Sequence, residues 1–288
     1  TRLPDPVLQQ VEHFNSPAIS VTDAFKSVTR YWDRITHPAQ LIQSLPNAIA
    51  TMLDPADCGP AFLALPQDVQ GWAYDYPVEF FYVLVHRIRR QLPDDHDIAE
   101  AVALLKAAKA PLIIAGGGVQ YSGATVELAT LAQNHCIPVV ETIAGRANML
   151  FEHPLNCGPI GVTGSNSANA LAEKADVILA VGTRLQDFTT GSWTAVSKSA
   201  KIISVNTGRF DATKHRSLAV VGDAKLALVQ LSAGIGEYQV PKSWSAFASR
   251  QREGWNVFVD GNINPVAASG SNRPMSYAQV IGAINAIC

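Results

Sequence analysis

Charge is what this sequence has least of. Lys, Arg, Asp and Glu make up 16% of its 288 residues, where a soluble domain ordinarily carries about 25%. The 22 basic side chains nearly balance the 24 acidic ones, for a formal net charge of -2. That leaves no general basic field to hold nucleic acid by its phosphates. So little charge also implies a surface partly covered by other protein, as in an oligomer or a piece of something larger. Cysteine is sparse too: Cys58, Cys136, Cys157 and Cys288 lie far apart, with no CxxC pair. This argues against a disulfide framework or zinc ribbon and for reduced thiols in a cytoplasmic protein. His13, His37, His86, His96, His135, His153 and His215 include no pair at a metal-ligand spacing, so surface or interface roles are expected of them. No apolar run approaches the roughly 18 residues of a membrane span, and no signal peptide or N-x-S/T sequon is present. Neither secretion nor membrane insertion is expected. A nucleophile elbow is missing, because Gly164-Ser165-Asn166-Ser167-Ala168 breaks the Gly-x-Ser-x-Gly pattern, and there is no GxxxxGK[ST] loop. Serine-hydrolase and P-loop chemistry fall away with them.

Apolar residues, by contrast, reach 48%, enough to bury a sizeable core, and the length predicts about two domains. Their pattern is strongest in the middle. Ile98, Val102, Leu105 and Ala108 recur at helical spacing over 94–108. Pro111-Leu112-Ile113-Ile114-Ala115 is apolar on both faces, as in a buried parallel strand. A helix over 122–135, a strand over 137–140, a helix over 165–175 and a strand over 176–182 follow. Strands over 201–206 and 218–221 come next, and Asp223 caps a helix running to about residue 232. Strands alternating with helices predict an α/β fold with a doubly wound parallel sheet.

The flanks read differently. Residues 1–92 contain a Pro-started helix over 38–53 and one strong strand over 61–65. One strand makes no sheet, so its partners are expected upstream of Thr1 or in another chain. Beyond residue 235 lies a polar connector with one amphipathic helix over 244–259, then a helix over 276–287 with Tyr277, Val280, Ile281, Ile284 and Ile287 on one face. The chain opens on Thr1, not Met, and stops on Cys288 without a terminating signal, as an internal piece would.

Candidate chemistry gathers where strands end. Gly116-Gly117-Gly118 follows a buried strand and precedes a helix, a turn whose N-H groups can approach a phosphate. The dinucleotide fingerprint is not met, since Tyr121 stands where its third glycine belongs, and a tight turn without ligand is the competing reading. Glu141, ending the next strand, could mimic the acid that binds a ribose hydroxyl. Thr183, Arg184 and Asn206 also lie at carboxyl ends of strands, where open α/β sheets place ligands. Gly116, Gly117, Thr183, Arg184 and Asn206 are thus the candidate cofactor-binding crevice. Against this, Arg184 could simply pair with Asp187.

Several separated segments together resemble the thiamine diphosphate enzymes of the acetolactate synthase and pyruvate oxidase type. Gly59-Pro60-Ala61-Phe62-Leu63-Ala64-Leu65-Pro66-Gln67-Asp68-Val69-Gln70 looks like the segment closing their pyrimidine-binding domain. The glycine turn, followed by Ser122-Gly123-Ala124, resembles the start of their central domain. Gly182-Thr183-Arg184-Leu185-Gln186-Asp187, running on to Gly191, resembles that domain's later loop. Residues 2–7, 27–35, 158–164 and 209–216 are similar to the branch of inositol catabolism that hydrolyses a cyclic dione.

The resemblance implies three regions: 1–92, the C-terminal part of a pyrimidine-binding domain; 93–235, a Rossmann-like central domain; and 236–288, a linker with the first helix of a pyrophosphate-binding domain. It implies thiamine diphosphate and Mg2+ in a longer parent that opens a trihydroxycyclohexane-1,2-dione ring to 5-deoxyglucuronate. There the cofactor would hold the carbanion left by carbon-carbon cleavage. A homo-oligomer, dimer or tetramer, is implied as well, with the crevice holding FAD, an ADP group or nothing. This sequence has no Gly-Asp-Gly motif and starts after the family's activating glutamate. No catalytic or metal-binding residue is therefore assigned, and this piece alone is expected to be inert. An acetolactate synthase-like carboligase or decarboxylase is the first alternative, which segments 2–7 and 27–35 argue against. A non-catalytic, nucleotide-binding regulatory domain is the second.

Overall fold

The computed structural model describes residue 16 and residues 19–264 and 274–287. His13, Cys288 and the segment 2–7 lie outside the described residues. Two units separate along the chain, Thr1–Arg90 and Gln91–Cys288.

The first unit carries β1 (Tyr31–Arg34), α1 (Leu41–Leu53), β2 (Ala61–Ala64) and the single turn α2 (Gln67–Gln70). β1 and β2 pair in parallel, in register from Tyr31 opposite Ala61 to Arg34 opposite Ala64. The strand at 61–64 thus has a partner within this chain, which corrects the expectation that its neighbours lie elsewhere. Tyr-Trp-Asp-Arg hides the strand because its charges are neutralised locally. Asp33 accepts a hydrogen bond from the Ser44 hydroxyl, and Arg34 pairs with Asp23. The Trp32 ring lies 4.2 Å from the Lys26 ammonium and 5.0 Å from the Arg34 guanidinium, both within cation-π range. Lys26, the Ser20 amide and Arg34 together hold the Asp23 carboxyl far below the ordinary carboxylate range.

The second unit is built on six parallel strands in the order β5-β4-β3-β6-β7-β8. In chain order it runs α3 (Asp95–Ala107), β3 (Pro111–Ala115), α4 (Gly117–Ser122), α5 (Thr125–His135), β4 (Val139–Glu141) and β5 (Asn156–Pro159). There follow α6 (Asn166–Lys174), β6 (Val177–Val181), α7 (Asp187–Thr190), β7 (Lys201–Asn206), α8 (Arg209–Ala212) and β8 (Leu218–Val221). The last three helices are α9 (Ala224–Ile235), α10 (Lys242–Ile263) and α11 (Tyr277–Ile287). Every residue of β3 and β6 is buried, as a strand covered by helices on both faces must be.

Helix boundaries follow capping chemistry. The Asp94 carboxylate accepts the His96 N-H at 2.8 Å and opens α3. Asp223 accepts from Lys225 and Leu226 at 3.1 and 3.2 Å and opens α9. The helix expected over 122–135 is divided: Gly123, with φ 63°, ends α4, and α5 starts at Thr125. β5 was not legible, because Asn-Cys-Gly-Pro lacks strand-forming residues and the strand lies at the sheet edge with a shifted register. Packing continues past Ile235. Trp244 and Ala248 of α10 belong to the core of this unit, and the Trp244 indole N-H donates to the Pro111 carbonyl at 2.8 Å. Among the described residues no helix is long and apolar enough to cross a membrane.

Candidate functional site

Strand order reverses between β3 and β6, and in doubly wound sheets a ligand crevice opens at that reversal, outside the carboxyl ends. The sequence-predicted residues converge there. Gly116 caps α4, whose first residue is Gly117; Thr183 and Arg184 follow β6, and Asn206 ends β7. Thr183 is buried and Arg184 exposed.

Contact is so close that the junction has little room. A β-carbon on Gly116 would stand 2.3 Å from the Gly182 carbonyl oxygen and 2.6 Å from the Thr183 β-carbon. Three of the turn's N-H groups are spent on protein. The N-H of Gly116 donates to Val181 O at 2.8 Å, that of Gly118 to Gly182 O at 2.9 Å and that of Val119 to Gly116 O at 3.2 Å. With only six residues, α4 adds little dipole. The loop after β6 is braced the same way: the Thr183 hydroxyl accepts the Leu185 N-H at 3.2 Å. Asn206 donates to Thr183 O at 3.3 Å and accepts the Gly208 N-H at 3.0 Å. No ion pair joins Arg184 to Asp187 among those of the described residues.

Beside this junction lies a polar group whose burial sequence reasoning missed. Glu141, at the end of β4, is 1% exposed, and its Oε1 accepts the Met149 N-H at 3.0 Å. The Arg146 guanidinium, half exposed, is 3.9 Å from Oε2. Burial raises this carboxyl above the usual glutamate value, against the opposing pull of Met149 and Arg146. Asn148 donates to Gly116 O at 2.9 Å, while its own Oδ1 is buried without a partner. An acid ending a strand was visible in the sequence; the loop that covers it was not.

An open cleft of about 510 Å³ lies elsewhere, lined by Asp94, Asp95, Asp97 and Gln230 among others, and contains none of the crevice residues. Among the described residues no group of three or more His, Cys, Asp or Glu could hold a metal ion.

Against this geometry, residues 98–231 match the family model described as "Thiamine pyrophosphate enzyme, central domain". Three relatives bear the name 3D-(3,5/4)-trihydroxycyclohexane-1,2-dione hydrolase, the third with the suffix 1. The protein of Geobacillus thermodenitrificans is 44% identical over 256 residues, 89% of this chain and 40% of its own length. That of Listeria monocytogenes serotype 4b is 44% identical over 239 residues, 83% of this chain and 38% of its own. That of Bacillus cereus is 39% identical over 310 aligned residues, 100% of this chain and 48% of its own. The chain therefore spans less than half the length of these relatives.

Proposed function

Residues 98–231 are a central domain of the thiamine pyrophosphate enzymes, and from that premise we propose that this chain forms the middle of a polypeptide that hydrolyses 3D-(3,5/4)-trihydroxycyclohexane-1,2-dione. The observation that carries the reading is the reach of the likeness. At 44% identity it extends over 89% of the chain, well outside the matched domain and into the flanks on both sides.

The residues described do not themselves fit the cofactor. They include no set of metal ligands, and the sequence contains no Gly-Asp-Gly. No chemical step is assigned to them. Their part is to build the scaffold on which the catalytic regions of the whole enzyme are mounted. The switch-point residues Gly116, Gly117, Thr183, Arg184 and Asn206 act in this reading as a structural junction, supported by the committed N-H groups and the absence of room. The whole enzyme is a homo-oligomer, as the 16% charge content suggests, and a clean monomer at micromolar concentration would refute that part.

The test is an assay of the full reading frame that encodes this chain, supplied with thiamine pyrophosphate, Mg2+ and the cyclic dione. The expected result is loss of the dione with formation of 5-deoxyglucuronate, no product from pyruvate, and no turnover by the 288-residue chain alone. Carboligation of pyruvate without ring opening would overturn the proposal.

A further inference from the structure

The two edges of the six-stranded sheet end differently. At the amino edge the chain covers itself: Trp244 of α10, 6% exposed, donates to the Pro111 carbonyl at the start of β3. Arg252 of the same helix donates to Asn156 O at the start of β5. At the carboxyl edge, the loop or short helix after each of five strands shows a large apolar side chain to solvent. These are Tyr121 after β3, Ile143 after β4, Val162 after β5, Phe188 after β6 and Phe210 after β7, each between 58% and 93% exposed. The strands are parallel, so all five side chains belong to one edge. Single exposed apolar residues are ordinary, but one on every neighbouring loop makes a patch. The loops are also tied to one another. The Gly118 N-H donates to Gly182 O at 2.9 Å, the Val162 N-H crosses to Phe188 O at 2.8 Å, and the Asn206 side chain holds Thr183 O at 3.3 Å. The Gln120 amide reaches the Arg146 carbonyl. A face braced in this way has little freedom left to lose when it is covered.

We propose that this carboxyl-edge face docks a segment of the parent polypeptide outside residues 1–288, one that presents apolar side chains rimmed by Asp and Glu. The proposal rests on the reading that the chain is the middle of a longer enzyme. The Geobacillus relative matches 89% of this chain with only 40% of its own length, so most of that polypeptide lies outside the match. The acidity of the segment follows from the charges beside the apolar residues. Arg146, Arg184 and Arg209 stand within four residues of Ile143, Phe188 and Phe210. Arg184 and Arg209 are exposed, and neither belongs to an ion pair among the described residues. Of the acids equally near, Glu141 is buried and Asp211 is paired with Lys214, so only Asp187 is exposed. Aromatic rings and arginines are the side chains in which protein interfaces are enriched. A second copy fits this face less well, because a two-fold contact of the face with itself would set arginine against arginine.

Photo-crosslinking in the full reading frame that encodes this chain tests the proposal. Tyr121→p-benzoylphenylalanine and Phe210→p-benzoylphenylalanine each exchange an exposed aromatic ring for a larger one and leave the core untouched. After irradiation, peptide mass mapping should join both positions to peptides outside residues 1–288. Crosslinks confined to residues 1–288, whether of the same chain or of a second copy, overturn the proposal, and so does a folded protein that yields none. Charge is tested at Arg209 in the Phe210-substituted protein. Arg209→Glu should lower the crosslinking yield several-fold and Arg209→Lys should keep it. An unchanged yield in Arg209→Glu overturns the acidic rim. Assaying the same preparation with the cyclic dione separates the two readings. Crosslinks without ring opening uphold the docking face and reject the hydrolase; ring opening without crosslinks does the reverse.

Discussion

Gly182 and Gly118 meet backbone to backbone: a β-carbon on Gly182 would fall 2.5 Å from the Gly118 α-carbon, and the Gly118 N-H donates to the Gly182 carbonyl at 2.9 Å. They follow β3 and β6, the two strands that flank the reversal of sheet order. Their contact fixes how closely the two halves of the sheet approach at the carboxyl end.

Gly182→Ala should therefore be costly on two counts. Its φ of 60° costs a residue with a β-carbon about 1–2 kcal/mol, and the clash is with backbone that has no side chain to move. A total loss of about 3 kcal/mol is expected from urea unfolding. A loss below about 0.5 kcal/mol would mean that the loops can part freely.

Trp244 offers a second test, of whether α10 is part of the sheet unit. Its ring is 6% exposed and its N-H serves the Pro111 carbonyl. Trp244→Ala should cost about 3–5 kcal/mol. Trp244→Phe keeps most of the packing but strands the carbonyl, for about 1–2 kcal/mol. If both changes prove neutral in thermal unfolding, the helix is a passenger.

The cysteines should separate by reactivity. Cys58 is exposed and Cys157 buried, and burial pushes the Cys157 thiol up to about 12, so almost none of it is thiolate at neutral pH. Iodoacetamide on the native chain should label Cys58 and spare Cys157 until denaturant is added. Peptide mass mapping reads the result, and early labelling of Cys157 would show that β5 opens readily.

Acid should loosen the first unit through Asp23. With its native carboxyl held far below the ordinary 3.8 by Lys26, Ser20 and Arg34, this group stabilises the fold above 3.8. The contribution is lost as pH falls below that value toward the native one. Asp23→Asn should lower stability at neutral pH and flatten the acid dependence of thermal unfolding. A variant with the wild-type acid profile would show that the ion pair contributes nothing.

Legibility followed how local each signal was. Pro111–Ala115 and Val177–Val181 could be read directly because strands covered on both faces need apolar residues at every position. Tyr31–Arg34 could not, since its charges are acceptable only once Asp23 and Ser44 are in place. Asn156–Pro159 was hidden by its composition. At the candidate site, the positions of Gly116, Thr183 and Asn206 at strand ends followed from the pattern of elements. Their hydrogen-bond commitments did not, because they depend on how near two distant loops come. The burial of Glu141 rests likewise on a loop whose path no local pattern declares.

The bond from Trp244 to Pro111 has a mechanical consequence. After Ile235 the chain has finished the sheet at its β8 border, yet α10 returns to fasten on β3, in the interior. Tension applied to the polypeptide beyond α10 is shared between the Arg252 bond to the Asn156 carbonyl of β5 and the Trp244 bond to β3, a central strand flanked on both sides. It does not arrive at β8, the border where the chain itself finished the sheet. The central strand can yield only by shearing both of its neighbours together, so the unit should resist a pull from that end far better than one arriving at β8.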